Sequence, residues 1–99
     1  MYVVVSQFVI ANDKVEEVRE AFRNRPHQVE SAPGFIRMEV ISPVDEPAAV
    51  WLMTFWRSKD DFETWHRSHR YKESHVGIPA GLKLVPGKNR ITCFDHICS

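Results

Sequence analysis

Two segments constrain this chain more than any others: "YVVVSQFVI" at residues 2–10 and "AAVWLMTFW" at residues 48–56. Both are dense in β-branched and aromatic residues, which fit a pleated backbone. Both are also apolar on each alternating face. In the first, Tyr2, Val4, Ser6, Phe8 and Ile10 share one face, and Val3, Val5, Gln7 and Val9 the other. A strand apolar on both parities must be covered on both sides, so the fold has to bring apolar material to each face of the sheet these strands join.

The segments between them supply one cover. "DKVEEVREAFRNR" carries Val15, Val18, Ala21 and Phe22 at helical spacing, and Asp13 with Glu16 three later fits a capping box. Pro26 removes a helix hydrogen bond and is expected to kink or end this helix near Arg25, with a further helical turn expected in "HQVES". "APG" at 32–34 reads as a turn and "FIRMEVIS", Phe35 to Ser42, as a second strand. Ser58 with Asp61 three later opens a second helix through "KDDFETWHRSH", with a break expected near Arg70. Gly77 to Lys88, "GIPAGLKLVPGK", reads as a long loop, either a lid or an ordered edge segment, before a last strand in "NRITCFDHIC".

The order β-α-β-β-α-β predicts a ferredoxin-like α+β fold, a four-stranded antiparallel sheet with both helices on one face, in a single domain over residues 1–99. The other face then has no cover within the chain. Val3, Val5, Val9, Ile36, Met38, Val40, Trp51, Met53 and Phe55 are all placed to lie there, and so large an exposed patch is unfavourable. A second copy stacking sheet against sheet removes it, so a homodimer is expected. A chain of 99 residues buries only about 60–65% of its unfolded surface, and three Trp and six Phe are generous for so small a core.

Charge narrows the partners. Thirteen Lys+Arg balance thirteen Asp+Glu without a basic block, which argues against binding nucleic acid through its phosphates. No apolar run reaches membrane-spanning length, and the N-terminus lacks the positive region and cleavage site of a signal peptide. Cys93 and Cys98 are expected on opposite faces of the last strand as free thiols, so a cytoplasmic location is expected.

Three of the five histidines fall within "TWHRSHRYKESH", Thr64 to His75. Phe62, Trp65, His66 and His69 form one helical stripe, with Phe62 and Trp65 toward the sheet and the imidazoles at its solvent boundary. Three readings stand open. His66 and His69 have a spacing that suits a shared metal ion, although no cysteine or carboxylate completes the set. They equally suit a solvated surface. Or the space beside the second helix holds heme or another flat aromatic ligand, with Phe22, Phe62 and Trp65 as wall and Arg19, Arg23 and Arg67 meeting its carboxylates. His75 suits either an iron ligand or a cap on terminal helix carbonyls.

Four motifs add a family. "EAF" ending at Phe22, "PGF" at Pro33–Phe35, "TFWRSKDDFETW" from Thr54 to Trp65 and "YKESH" from Tyr71 to His75 resemble the antibiotic-biosynthesis-monooxygenase superfamily of dimeric α+β barrels. The resemblance covers nearly the whole chain and is greatest to the heme-degrading monooxygenases of the Isd type, the Trp65–His75 spacing being its most informative part. It implies a monooxygenase that opens heme oxidatively and releases its iron, with heme as both substrate and cofactor and electrons from an external donor. It implies His75 as the iron ligand and Trp65 packed on the porphyrin; Phe22, Arg23 and Phe62 of the wall and anchors read above are expected as further contacts. The position of the relatives' strand Asn falls on Ser6, and Gln7 points to the opposite face and cannot replace it. A hydroxyl is shorter than an amide but still donates a hydrogen bond, directly or through water. Two other readings stay open: a dimer that binds heme or a small aromatic ligand without chemistry, and a cofactor-independent monooxygenase of polycyclic phenols.

Overall fold

The computed structural model describes residues 1–25, 29–68 and 81–99. Strands β1 (Tyr2–Val9), β2 (Phe35–Ile41), β3 (Ala49–Trp56) and β4 (Arg90–Asp95) pair antiparallel in one sheet, in the order β2-β3-β1-β4. The two strands apolar on both faces therefore take the centre. They run in unbroken register from Tyr2 opposite Trp56 to Val9 opposite Ala49. Helices α1 (Val15–Arg23) and α2 (Lys59–His66) cover one face, the expected ferredoxin-like arrangement.

The two helix starts differ. At α2, the Asp61 N–H donates to Ser58 Oγ at 3.2 Å, and the hydroxyl donates back to Asp61 Oδ2 at 3.0 Å. The expected cap at Asp13 is not formed. α1 starts from Lys14, whose side chain makes no capping bond and pairs with Glu17 at 3.3 Å. Asp13 lies one residue too early, and Glu16 and Glu17 meet the positive helix end instead. The helical turn expected after α1 is a single 3₁₀ turn, Val29–Ser31, with Val29 buried.

One residue changes the sheet. Phe35 pairs with Trp56, yet Arg37 pairs with Phe55, so Ile36 is an extra residue in β2. Such a bulge inverts the facing of everything after it. Met38 and Val40, expected on the helix-free face, turn to the helix side opposite Thr54 and Leu52. Arg37 and Glu39 take the helix-free side, where the Arg37 guanidinium lies 3.9 Å over the Phe55 ring. Val3, Val5, Val9, Trp51, Met53 and Phe55 stay on that side, joined by Ile41 and Phe94, both exposed.

The second half of the long loop is an ordered edge segment. Ala11 N–H donates to Lys83 O and Val85 N–H to Val9 O, both at 2.8 Å, and Leu84 bridges to Ile10. Residues 77–80, the break near Arg70, His69 and His75 lie outside the described residues. β4 stops at Asp95, so Cys98 is beyond the strand on which it was expected; both thiols are free and exposed. Among the described residues no helix is long and apolar enough to cross a membrane.

Gly34 closes the turn before β2 at φ +80°, and a Cβ there would meet the Asp61 carboxylate. Gly34→Ala is expected to lower unfolding free energy by more than the roughly 1–2 kcal/mol of left-handed backbone alone. Ser58→Ala, which removes only the cap, is expected to lower it by about 1 kcal/mol. Urea unfolding measures both.

Candidate functional site

The helix layer packs on the sheet as two separate apolar clusters. Under α2, Phe62 and Trp65 join Tyr2, Val4, Val29, Phe35, Met38 and Trp56. Trp56 is fully buried, donates from its indole N–H to Thr54 Oγ1 at 2.9 Å, and meets Phe35 and Phe62 edge-on at 5.5 and 5.7 Å. Under α1, Val18 and Phe22 join Phe8, Ile10, Val50, Leu52, Leu82 and Leu84. Phe22 meets Phe8 at 6.4 Å. The expected wall of Phe22, Phe62 and Trp65 is thus divided: Phe22 belongs to one cluster and the other two to its neighbour.

Ser6 lies where the clusters meet. It is half-buried, one pleat from Val4 in the first cluster and one from Phe8 in the second. Across the sheet it belongs to a row in which Val40 faces Leu52, Leu52 faces Ser6 and Ser6 faces Ile91. The ends of the row are open, with Val40 38% and Ile91 56% exposed. At strand spacing this row is about 14 Å long. It is an apolar strip with one hydroxyl near its middle.

At the β2 end of this row is a cleft of about 340 Å³, lined by Arg19, Phe22 and Arg23 of α1 with Val40, Ile41, Ser42 and Val50. That is at the small end of ligand pockets. The structure therefore brings Phe22, Arg23 and Arg19 together. Reading the sequence missed Val40 as lining, because nothing in "FIRMEV" marks Ile36 as the bulged residue.

The two arginines differ. Arg23 is exposed and pairs with Glu20 at 3.0 Å, while Asn24 donates to the other Glu20 oxygen at 3.0 Å. The bond from Arg23, then that from Asn24, holds the Glu20 carboxyl below its ordinary range. Arg19 donates from one terminal nitrogen to Pro47 O at 3.2 Å, and its Nε is buried with no hydrogen-bond partner. A buried unsatisfied donor is unfavourable and calls for an acceptor.

Of the remaining candidates, Trp65 is 7% exposed, so most of its indole packs inside its cluster. His66 is exposed and stacks on Phe62 at 5.4 Å. Arg67 caps α2 and is exposed. Among the described residues no three metal-ligating side chains converge. Tyr2 stays protonated near neutral pH: its hydrogen bond with Cys93, then desolvation, pushes it up to about 12.

Comparison with known proteins matches residues 1–76 to the antibiotic biosynthesis monooxygenase family. A heme-degrading monooxygenase of Bacillus cereus (strain B4264) is 32% identical over 98 residues, covering 96% of this chain and 89% of the relative. A mycobilin-producing heme oxygenase of Mycobacterium tuberculosis (strain CDC 1551 / Oshkosh) is 31% identical over 62 residues, or 54% of this chain; the chain spans only 59% of that relative's length. Among solved structures, MhuD from Mycobacterium tuberculosis with two hemes bound in its active site superposes with a TM-score of 0.80 at 21% identity, covering 100% of this chain and 98% of MhuD. At that identity the likeness establishes the fold.

The Glu20–Arg23 pair has a pH signature. A depressed carboxyl pKa favours the folded chain above the ordinary carboxylate range, and that contribution fades as pH falls through the folded value. By NMR titration the Glu20 carboxyl is expected to protonate below its usual range, and Arg23→Gln to raise its midpoint.

Proposed function

The chain belongs to the antibiotic biosynthesis monooxygenase family, and from that membership we propose that it is a heme-degrading monooxygenase, with heme as substrate and an external reductant as electron source. The observation that carries the reading is the open row Val40–Leu52–Ser6–Ile91. It is apolar, long enough to take a flat macrocycle, and bears a hydroxyl near its middle. The cleft beside it is lined by Arg19, whose guanidinium is suited in kind to a propionate.

In this reading each side chain has a defined task. His75, from the resemblance, is the iron ligand. Trp65, locked in its cluster, is a rigid wall, and Phe62 supports it from α2. Phe22 closes the α1 side, and Arg23 and Arg19 hold the carboxylate edge. The Ser6 hydroxyl would offer bound heme a hydrogen-bond donor. Bound heme supplies oxygen activation, and the oxidation of the ring is its own chemistry. What the chain adds is a dry apolar bed, a fixed orientation and one donor.

A second reading has a specific observation in its favour. By the resemblance, Ser6 stands where the heme-degrading relatives' motif has Asn, and a short hydroxyl suits a chain that binds heme without opening it.

We place the protein in the cytoplasm as a homodimer, the second copy covering the helix-free face where Phe94 is 47% exposed. Light scattering on Phe94→Glu should then report a shift toward monomer, whereas a wild-type monomer would refute the dimer.

Hemin titrated into the apoprotein is expected to give a saturable Soret band that His75→Ala abolishes. A band indifferent to that change removes the heme reading. With ascorbate, air and catalase, loss of the band identifies turnover and a stable spectrum identifies the binding-only protein. Ser6→Asn is expected to speed loss of the band by about tenfold or more.

A further inference from the structure

Resting on the reading of the protein as a homodimer, we propose how its two copies are set on each other. The partner is turned about an axis along the strands, so that β2 of each copy lies over β4 of the other, and Glu39 pairs with Arg90 of the partner subunit.

The helix-free face has three full rows. From β4 to β2 they run Phe94–Val3–Phe55–Arg37, Thr92–Val5–Met53–Glu39 and Arg90–Gln7–Trp51–Ile41. The central strands give these rows apolar residues except at Gln7, and every charge is on an edge strand. Arg37 and Glu39 are on β2 and Arg90 is on β4, all three exposed. None of the ion pairs among the described residues involves them. Arg37 is nevertheless engaged, because its guanidinium lies over the Phe55 ring. Glu39 and Arg90 are left without an opposite charge. Within one copy they cannot meet: they are at opposite edges of a four-stranded sheet, about 14 Å apart across the strands.

Two twofold axes can stack this face on itself with the strands aligned. An axis across the strands lays β2 on β2. Stacked on its middle row, the face then sets Glu39 against Glu39 of the partner subunit, and like charges so placed are unfavourable. An axis along the strands lays β2 on β4 instead. Arg37 then meets Phe94 of the partner subunit, Glu39 meets Thr92 of the partner subunit, and Ile41 meets Arg90 of the partner subunit. That arginine lays its alkyl stem on Ile41, which is 48% exposed in one copy, and its guanidinium reaches Glu39 one row away. Phe94, also exposed in one copy, covers the stack of Arg37 on Phe55. Both lone charges are paired, and symmetry does it twice. Charge complementarity therefore selects the second arrangement.

Analytical ultracentrifugation of the full chain tests it, with far-UV circular dichroism checking each fold. Glu39→Arg and Arg90→Glu are each expected to raise the dimer Kd about tenfold or more. The double variant recreates the pair in the opposite sense and is expected to return to within about threefold of wild type. Glu39→Gln is expected to weaken the dimer; with β2 on β2 it would tighten it by removing a repulsion. Should a charge reversal fail to fold, Glu39→Gln alone decides. Additive losses in the double variant, or a tighter dimer in Glu39→Gln, overturn the arrangement while the homodimer stands. A wild type that is monomeric overturns both.

Discussion

The arrangement of the described residues depends on how little helix covers the sheet. Helices of nine and eight residues are each only about 13 Å long, and they must shield one face of a four-stranded sheet. They do so by packing separately. α2 gathers around Trp56, the fully buried residue that two aromatic rings meet edge-on, and α1 gathers around Val18 and Val50. Between the two clusters the sheet keeps a strip whose ends remain open. A longer or fused helical layer would fill that strip with side chains and leave no place for a ligand. The candidate site is the strip that the two helices of the described residues leave uncovered.

Much of this was legible because burial leaves a direct trace in composition. β1 and β3 are apolar on both parities, and only central strands need that, so their place in the sheet follows from the sequence. Ser58 and Asp61 mark the start of α2 because a capping box is a local device, satisfied within four residues. The same pattern at Asp13 and Glu16 misleads because α1 begins one residue later, from Lys14, and Glu16 and Glu17 complement the helix end by charge instead. A motif of two residues specifies a boundary only when the intervening backbone agrees.

The bulge at Ile36 was not legible, and its effect is large. Read with strict alternation, Met38 and Val40 fall on the helix-free face and Arg37 and Glu39 on the helix face. The single extra residue reverses all four. It removes two charges from under the helices and gives the strip its β2 end, Val40. Nothing in the local sequence announces it. The preference for burying Met38 in the α2 cluster over Arg37 decides it, and that preference exists only once the other strands and helices are in place. The division of Phe22 from Phe62 and Trp65 was hidden for the same reason: helical spacing shows which residues face inward, and not which cluster they join.

The arrangement also separates affinity from chemistry. In the proposed reading, affinity comes from apolar contact along the strip and from the guanidinium of Arg19. The rate of any oxidation depends instead on one donor at the middle of the strip, and Ser6 supplies a shorter one than an amide. The guanidinium is on α1 and the donor on β1, and among the described residues the two share no hydrogen bond. Residues so separated act nearly independently. A change at Ser6 can therefore alter turnover and leave retention of the ligand intact, and a change at Arg19 can do the opposite. In that reading, a single substitution at Ser6 is enough to pass between enzyme and carrier without altering the fold that creates the strip.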